Sequence, residues 1–502
     1  MNENKSEAHP LFLEDLLRRY VDAFNRNDEE CYVQDIKNED AAAWLTENIP
    51  YIEIPDKTVE QIYYFRWWVF RKHIKSTSDG YVVTEFLPPV PWAGKHNTII
   101  AAAGHHIAEA KWLKRGKAVV EDYAAFWLEE KSKTYLYSTW ILSAIYDFCT
   151  HINDFSFGVR YLDRMIHYYE TVEREHMTAS GLFWSIDNND AMEYSISGVT
   201  EELKTKRGIR PTLNSYMAAN ALAISKFAEK ARRHDVAKKY VQKHGSIKEK
   251  MHEYLWDGSF YRAIHTDDLD APSLDRVTDA QNARELIGYI PWCFGLAPQG
   301  LEAAFEELKR EDGFASPFGL TTAQRRHPRY LYAVNHECLW NGYIWPFATS
   351  QVLNAMKNLL NGYRQNAICD ADFYQILHTY AKSHTRVTLD GREICWIDEV
   401  KHPETNEWSS RALLEQWGWR EDKGGYERGK DYNHSTFCDL VLGGLLGIEA
   451  KDGKLIVHPH IPDTWDYFAV DHLWIGEKCY MVLYDRDGTK YGYGKGVTVL
   501  EQ

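Results

Sequence analysis

Two stretches far apart in the chain set carboxyl groups among aromatic rings. The first, ICWIDEVKHPETNEW, places Asp398 and Glu399 side by side between Trp396 and a Pro-Glu-Thr-Asn turn. The second, SGLFWSIDNNDAMEYSISG, carries Asp187, Asp190 and Glu193 at intervals of three beside Trp184 and Met192. Like charges crowded against apolar side chains raise carboxyl pKa values and keep an acid protonated near neutrality. A protonated carboxyl from one loop and an ionised one from the other would form a general acid and a general base. Hydrolysis of a glycosidic bond needs that pair: one group protonates the leaving oxygen, the other activates water. Each loop alone also reads as a polar turn, so the pair is the informative feature.

Four further stretches offer a wall for a polar, aromatic pocket. FRWWVFRKHIK and TEFLPPVPWAGKHNT bring Arg66, Trp67, Trp68, Glu85, Trp92, Lys95, His96 and Asn97. HECLWNGYIWPFATSQ brings Trp340, Asn341 and Trp345 around Gly342, where backbone can approach a ligand closely. YERGKDYNHSTFCDL adds Tyr432 and His434 as hydroxyl partners. His336 has no second ligand at helical spacing, so no metal site is expected.

Composition narrows the partner. The formal charge of −15 argues against nucleic acid or an anionic membrane, both of which need a basic face. No window approaches the length of an apolar membrane span. The N-terminal stretch MNENKSEAHP is polar and lacks an apolar core, so no signal peptide is expected there. The eight cysteines are scattered without a CxxC pair, which fits free thiols in a reducing cytoplasm. The 18 Trp and 32 Tyr are well above ordinary usage. Their rings stack on the C–H faces of sugars while donating a hydrogen bond, so the expected partner is a carbohydrate. No cofactor is expected.

The elements that position these residues are helical up to about residue 445. LFLEDLLRRYVDAF and PTLNSYMAANALAISKFAEKA repeat apolar residues at three and four. AAFEELKR, SQVLNAMKNLL and FYQILHTYAKSH do the same. Asn220 falls on an apolar face and reads as a core amide. After residue 445 the character changes. KLIVHPHI, YFAVDHLWI, KCYMVLYDR and GVTVL read as strands broken by turn residues. The expected organisation is residues 1–445 as a helical catalytic domain and 446–502 as a small antiparallel sheet domain.

EVKHPETN, from Glu399 to Asn406, resembles the Glu-x-Tyr-Asp-Pro-x-Thr-Gly signature of glycoside hydrolase family 63 and the related mannosylglycerate hydrolases. Glu399, Pro403 and Thr405 match it, while Lys401, His402 and Asn406 depart from it. FASPFGLTTAQRRHPRY and LWNGYIWP resemble two further motifs of that family, and GKLIVHPHIPDTW resembles the small sheet that follows such domains. The resemblance covers about residues 60 to 445. It implies an (α/α)6 toroid, inverting hydrolysis, and Glu399 as the general base; the expected enzyme is an exo-acting glycosidase. It leaves the general acid open. DAMEYS laid over the family's acid motif gives Glu193 and IDNND gives Asp187, with Asp190 between them; Glu193 and Asp190 rank ahead of Asp187. The rival readings are a lyase or epimerase on the same scaffold, or a sugar-binding protein without an acid pair.

Overall fold

The computed structural model describes residues 13–265, 268–451 and 453–502. The N-terminal stretch read above for a signal peptide, with the first two residues of LFLEDLLRRYVDAF, lies outside them.

The chain is mainly helical, with a small antiparallel sheet. Its helices fall into two kinds. Lys57–His73, Pro211–Lys230 and Pro346–Gly362 are buried over most of their circumference. A helix apolar or satisfied all round belongs in the interior of a large protein. The two Pro-led helices start where a missing N–H costs nothing. Asn220 lies inside, its amide donating to the Thr139 carbonyl and its oxygen accepting from the Ser143 N–H. The other kind, Leu162–His176, His234–Leu255 and Asp370–Ser383, buries one stripe and shows a charged face. Each half-exposed helix packs on a buried one: His234–Leu255 and Leu162–His176 on Pro211–Lys230, and Asp370–Ser383 on both Pro346–Gly362 and Lys57–His73. AAFEELKR, the shortest of the helical stretches, forms a 3-10 helix over Glu302–Lys309.

The C-terminal strands form where alternation indicates them. Tyr467–Ile475, Lys478–Asp485 and Gly496–Glu501 make an antiparallel meander. Its free edge is closed by Tyr51–Glu53 from the other end of the chain, in register Tyr51 with Asp471 and Glu53 with Ala469. That strand covers a row of otherwise unpaired backbone groups. Ile448–Lys451 and Lys454–Val457 form a separate hairpin.

Asp56 ties two helices together. Its Oδ1 accepts the Thr58 and Val59 amides at 2.9 and 3.1 Å, capping Lys57–His73. Its Oδ2 accepts from Tyr374 Oη at 2.8 Å and His378 Nδ1 at 2.6 Å on Asp370–Ser383. Asp56→Ala removes the cap and both cross-links, a loss of about 2 kcal/mol. A fall of several degrees in the apparent Tm is expected; an unchanged melting curve would show that the capping carries no weight.

Candidate active site

The two acidic loops meet at one cavity of about 260 Å³, lined by Glu193 from the first and Glu399 from the second. Glu85, Glu337 and Arg428 line it too, with Trp92, Tyr137, Trp345 and Tyr432 as aromatic wall.

Glu399 is fixed by its backbone neighbours. Ile344 and Lys401 exchange N–H···O bonds at 2.9 and 3.0 Å, and the Ser409 N–H donates to Val400 O at 2.8 Å. Asp398, next to it, turns inward. It is fully buried, and its Oδ1 accepts the Glu399 N–H at 2.9 Å. Burial raises its pKa to about 6, partly offset by Arg411. A Cβ built on Gly429 would overlap the Asp398 carboxylate, so only glycine lets the 428–430 backbone pass there. Of the two adjacent acids, Glu399 reaches the cavity and Asp398 supports it. Lys401, which departs from the family signature, is buried, donating from Nζ to the Ser383 carbonyl at 2.5 Å; burial lowers its pKa to about 7.

Arg428 is the central cation. Its Nη2 donates to Glu399 Oε2, and its Nη1 donates to Glu337 Oε1 at 3.1 Å. Ser410 Oγ donates to Glu399 Oε2 at 2.8 Å, and Cys338 Sγ stands 3.3 Å from Oε1. Lys423 Nζ donates to both Glu337 oxygens, at 3.0 and 3.1 Å. Burial opposes ionisation of Glu337, but Arg428 and the hydrogen bonds from Lys423 hold its pKa below the usual value. The Arg428 guanidinium also lies 5.3 Å from the Trp92 ring centre, within cation–π range.

Glu193 and Glu85 have the opposite environment. Burial, reinforced by Asp187, Glu399 and Glu337, pushes Glu193 up to about 8. Glu85 is also pushed to about 8, by burial first and then by Glu399 and Glu193. Glu85 Oε1 accepts from Tyr432 Oη, while its buried Oε2 has no partner among the described residues. One cavity thus holds carboxyls kept protonated at neutral pH beside a carboxylate, Glu399, paired with a guanidinium.

The geometry separates the three acids left open by the sequence. Asp190 is buried under an ion pair with Arg210, Nε to Oδ2 at 2.7 Å, and bonds from Ser138 and Ser185. Asp187 accepts the Asn188 and Tyr194 amides, both at 3.0 Å, and shapes the loop. Neither lines the cavity; Glu193 does.

Several expected wall residues are elsewhere. Trp67 and Trp68 sit in the core, because their helix is surrounded: Trp67 packs edge-on to Tyr63 and Phe70, and Trp68 stacks on Phe65. Arg66 is buried against Tyr380, His384 and Ser435. Lys95 and His96 both engage Asp79, at 2.5 and 2.7 Å, in the turn between the strands Ile74–Thr77 and Gly80–Val83. Asn97 organises the loop that carries Trp92, accepting from the Val90 N–H and donating to the Phe86 and Pro88 carbonyls. Asn341 donates to the Tyr332 carbonyl. Trp340 backs the wall by stacking on Trp345, with ring centres 4.6 Å apart. His434 lies beneath it, buried, its ring 3.8 Å from that of Tyr432. Among the described residues, no group of three or more His, Cys, Asp or Glu is placed to hold a metal ion.

The model of the mannosylglycerate hydrolase MGH1-like glycoside hydrolase domain matches residues 95–435. The chain belongs to this family. It carries a glycoside hydrolase domain. Among solved structures, a sialidase aligns with TM-score 0.86 and 34% identity over 97% of this chain and 43% of its own. A GH78 family rhamnosidase of Bacillus sp. GL1 aligns with TM-score 0.53 and 12% identity, over 87% of this chain and 40% of its own. The GH63 mannosylglycerate hydrolase from Thermus thermophilus aligns with TM-score 0.43 and 10% identity, over 71% of this chain and 99% of its own. The chain spans less than half the length of the sialidase and the rhamnosidase. A search among curated proteins finds no match.

Sequence reasoning missed Arg428, Glu337, Cys338 and Tyr137. Arg428 stands two residues before Lys430 in a stretch already singled out for Tyr432 and His434; its partners, Glu337 and Glu399, are remote in sequence. Arg428→Lys supplies a charge without the planar fork that reaches both carboxylates. Breaking a buried pair costs about 3–5 kcal/mol. Thermal unfolding is expected to show marked destabilisation together with loss of activity. A lysine variant as stable as the parent would mean that the bridge is dispensable.

Proposed function

We propose that the protein is an inverting, exo-acting glycoside hydrolase with Glu193 as general acid and Glu399 as general base. The observation that carries this reading is the shared cavity in which Glu193 is held protonated while Glu399 is paired with Arg428. The Glu193 carboxyl gives its proton to the glycosidic oxygen as the bond from the anomeric carbon to that oxygen breaks. A water oxygen bonds to the anomeric carbon from the opposite face, and Glu399 takes the proton that water loses. The products are the free sugar with inverted anomeric configuration and the released alcohol. Exchange with solvent then resets both carboxyls.

Inversion is the outcome that the resemblance of EVKHPETN implies. Exo action is supported by the size of the cavity, about 260 Å³, which suits one sugar ring better than a chain. The scaffold proposed is an (α/α)6 toroid. Its support is the pairing of buried with half-exposed helices and the overlay on the sialidase. Residues 1–445 would form the catalytic domain and 446–502 the sheet domain, with Tyr51–Glu53 as the strand linking them.

Proton NMR during cleavage of a glycoside panel tests the reading, with α anomers giving β products or the reverse. Glu399→Gln is expected to lower kcat about 10²–10⁴-fold. Glu193→Gln is expected to lose as much on natural leaving groups and far less on activated aryl ones, which need no protonation. Glu193 works only while protonated, so kcat/KM is expected to fall as pH rises through about 8. Retention of configuration, or full activity in Glu399→Gln, would refute the assignment.

A further inference from the structure

We propose that the cavity takes an uncharged sugar ring and rejects acidic ones, uronic and sialic acids included. The inference rests on the reading of this cavity as the glycone site.

Recognition of a sugar carboxylate needs a cation or a set of free donors to replace its water. The cavity has two cationic side chains, and both are committed. Arg428 bridges Glu399 and Glu337, and Lys423 donates to both oxygens of Glu337. The remaining basic group, His336, has its pKa lowered by burial and stays neutral near pH 7. Against these stand the Glu337 and Glu399 carboxylates, with the protonated carboxyls of Glu85 and Glu193 adding no positive charge. A sugar carboxylate would leave water for a space where both cations already serve Glu337 and Glu399. Like charges in a poorly hydrated site repel strongly.

The same groups suit hydroxyls. Glu85 is only 6% exposed, and its Oε2 has no partner among the described residues. Held protonated, it can donate to one hydroxyl and accept from another. Trp92, Tyr137 and Trp345 offer rings for the apolar C–H face of a sugar. A neutral ring satisfies the buried oxygen of Glu85 without disturbing the Arg428 bridge.

The test uses the full chain and 4-nitrophenyl glycosides: neutral pentosides and hexosides of both anomers, the matching hexuronides, and a sialoside. Turnover of a neutral glycoside is expected, with kcat/KM for every acidic glycoside at least about 100-fold lower. Glu337→Gln, which frees Arg428 and Lys423, is expected to raise the uronide-to-neutral ratio. A uronide or sialoside cleaved as well as the best neutral substrate, with Glu399→Gln inactive, would overturn the charge inference and leave the hydrolase reading intact. If no glycoside is cleaved, tryptophan fluorescence decides. Binding of a cationic iminosugar, without binding of the matching uronic acid or of 2,3-didehydro sialic acid, upholds the inference even where the catalytic reading fails. Preference for the acids overturns it, and binding of neither overturns both.

Discussion

The site depends on one buried guanidinium. Arg428 lies where two carboxylates converge, and its removal would leave Glu399 and Glu337 charged and unpaired in a poorly hydrated space. Its presence has a second effect. With Glu399 and Glu337 paired, the neighbouring Glu193 and Glu85 have no cation of their own, and burial keeps them protonated. Charge balance thus sorts four nearby carboxyls into two kinds. Acid and base roles at one pH need such a division.

The helices hold these groups without supplying them. The buried helices are filled by their own aromatic and amide side chains, as Trp67 and Asn220 illustrate. The cavity's carboxyls come from connections between helices: Glu85 after the hairpin of Ile74–Thr77 and Gly80–Val83, Glu193 in a tight loop, Glu399 after the strand pair Thr385–Val387 and Glu393–Cys395. Each connection is held by hydrogen bonds from polar residues outside the cavity. Asp187 folds the Glu193 loop, Asn97 folds the Trp92 loop, and Asp398 caps the Glu399 backbone. A rigid scaffold with chemistry on tethered loops is a general solution, because loops can change chemistry without disturbing a core. A sialidase and a rhamnosidase, named for different sugars, overlay on the same chain; fold alone therefore says little about the sugar.

Misplaced residues have a common cause. Trp67 and Trp68 stand in a stretch as rich in charge and aromatics as any pocket wall. Whether such a stretch faces a cleft depends on what surrounds its helix, and here the surroundings are other helices. Lys95 and His96 are neighbours of Trp92, but Asp79 draws them away from the cavity. Asp190 and Glu193 differ by three positions in one loop. Arg210, from the start of a following helix, neutralises Asp190 and leaves Glu193 with no such partner.

The sequence by itself determined what is local. The apolar period marks the helices, alternation marks the last strands, and the spacing of Glu399, Pro403 and Thr405 carries the family resemblance. These signals lie within a few residues of one another, so no long-range contact is needed to read them. Only the tertiary structure decided which acids share a cavity, which are protonated, and that Arg428 joins Glu337 to Glu399. It also decided that the C-terminal sheet takes its edge strand from Tyr51–Glu53. Those outcomes depend on burial and on charges brought together from distant parts of the chain, and electrostatic free energy is set by distance in space, not by separation in sequence.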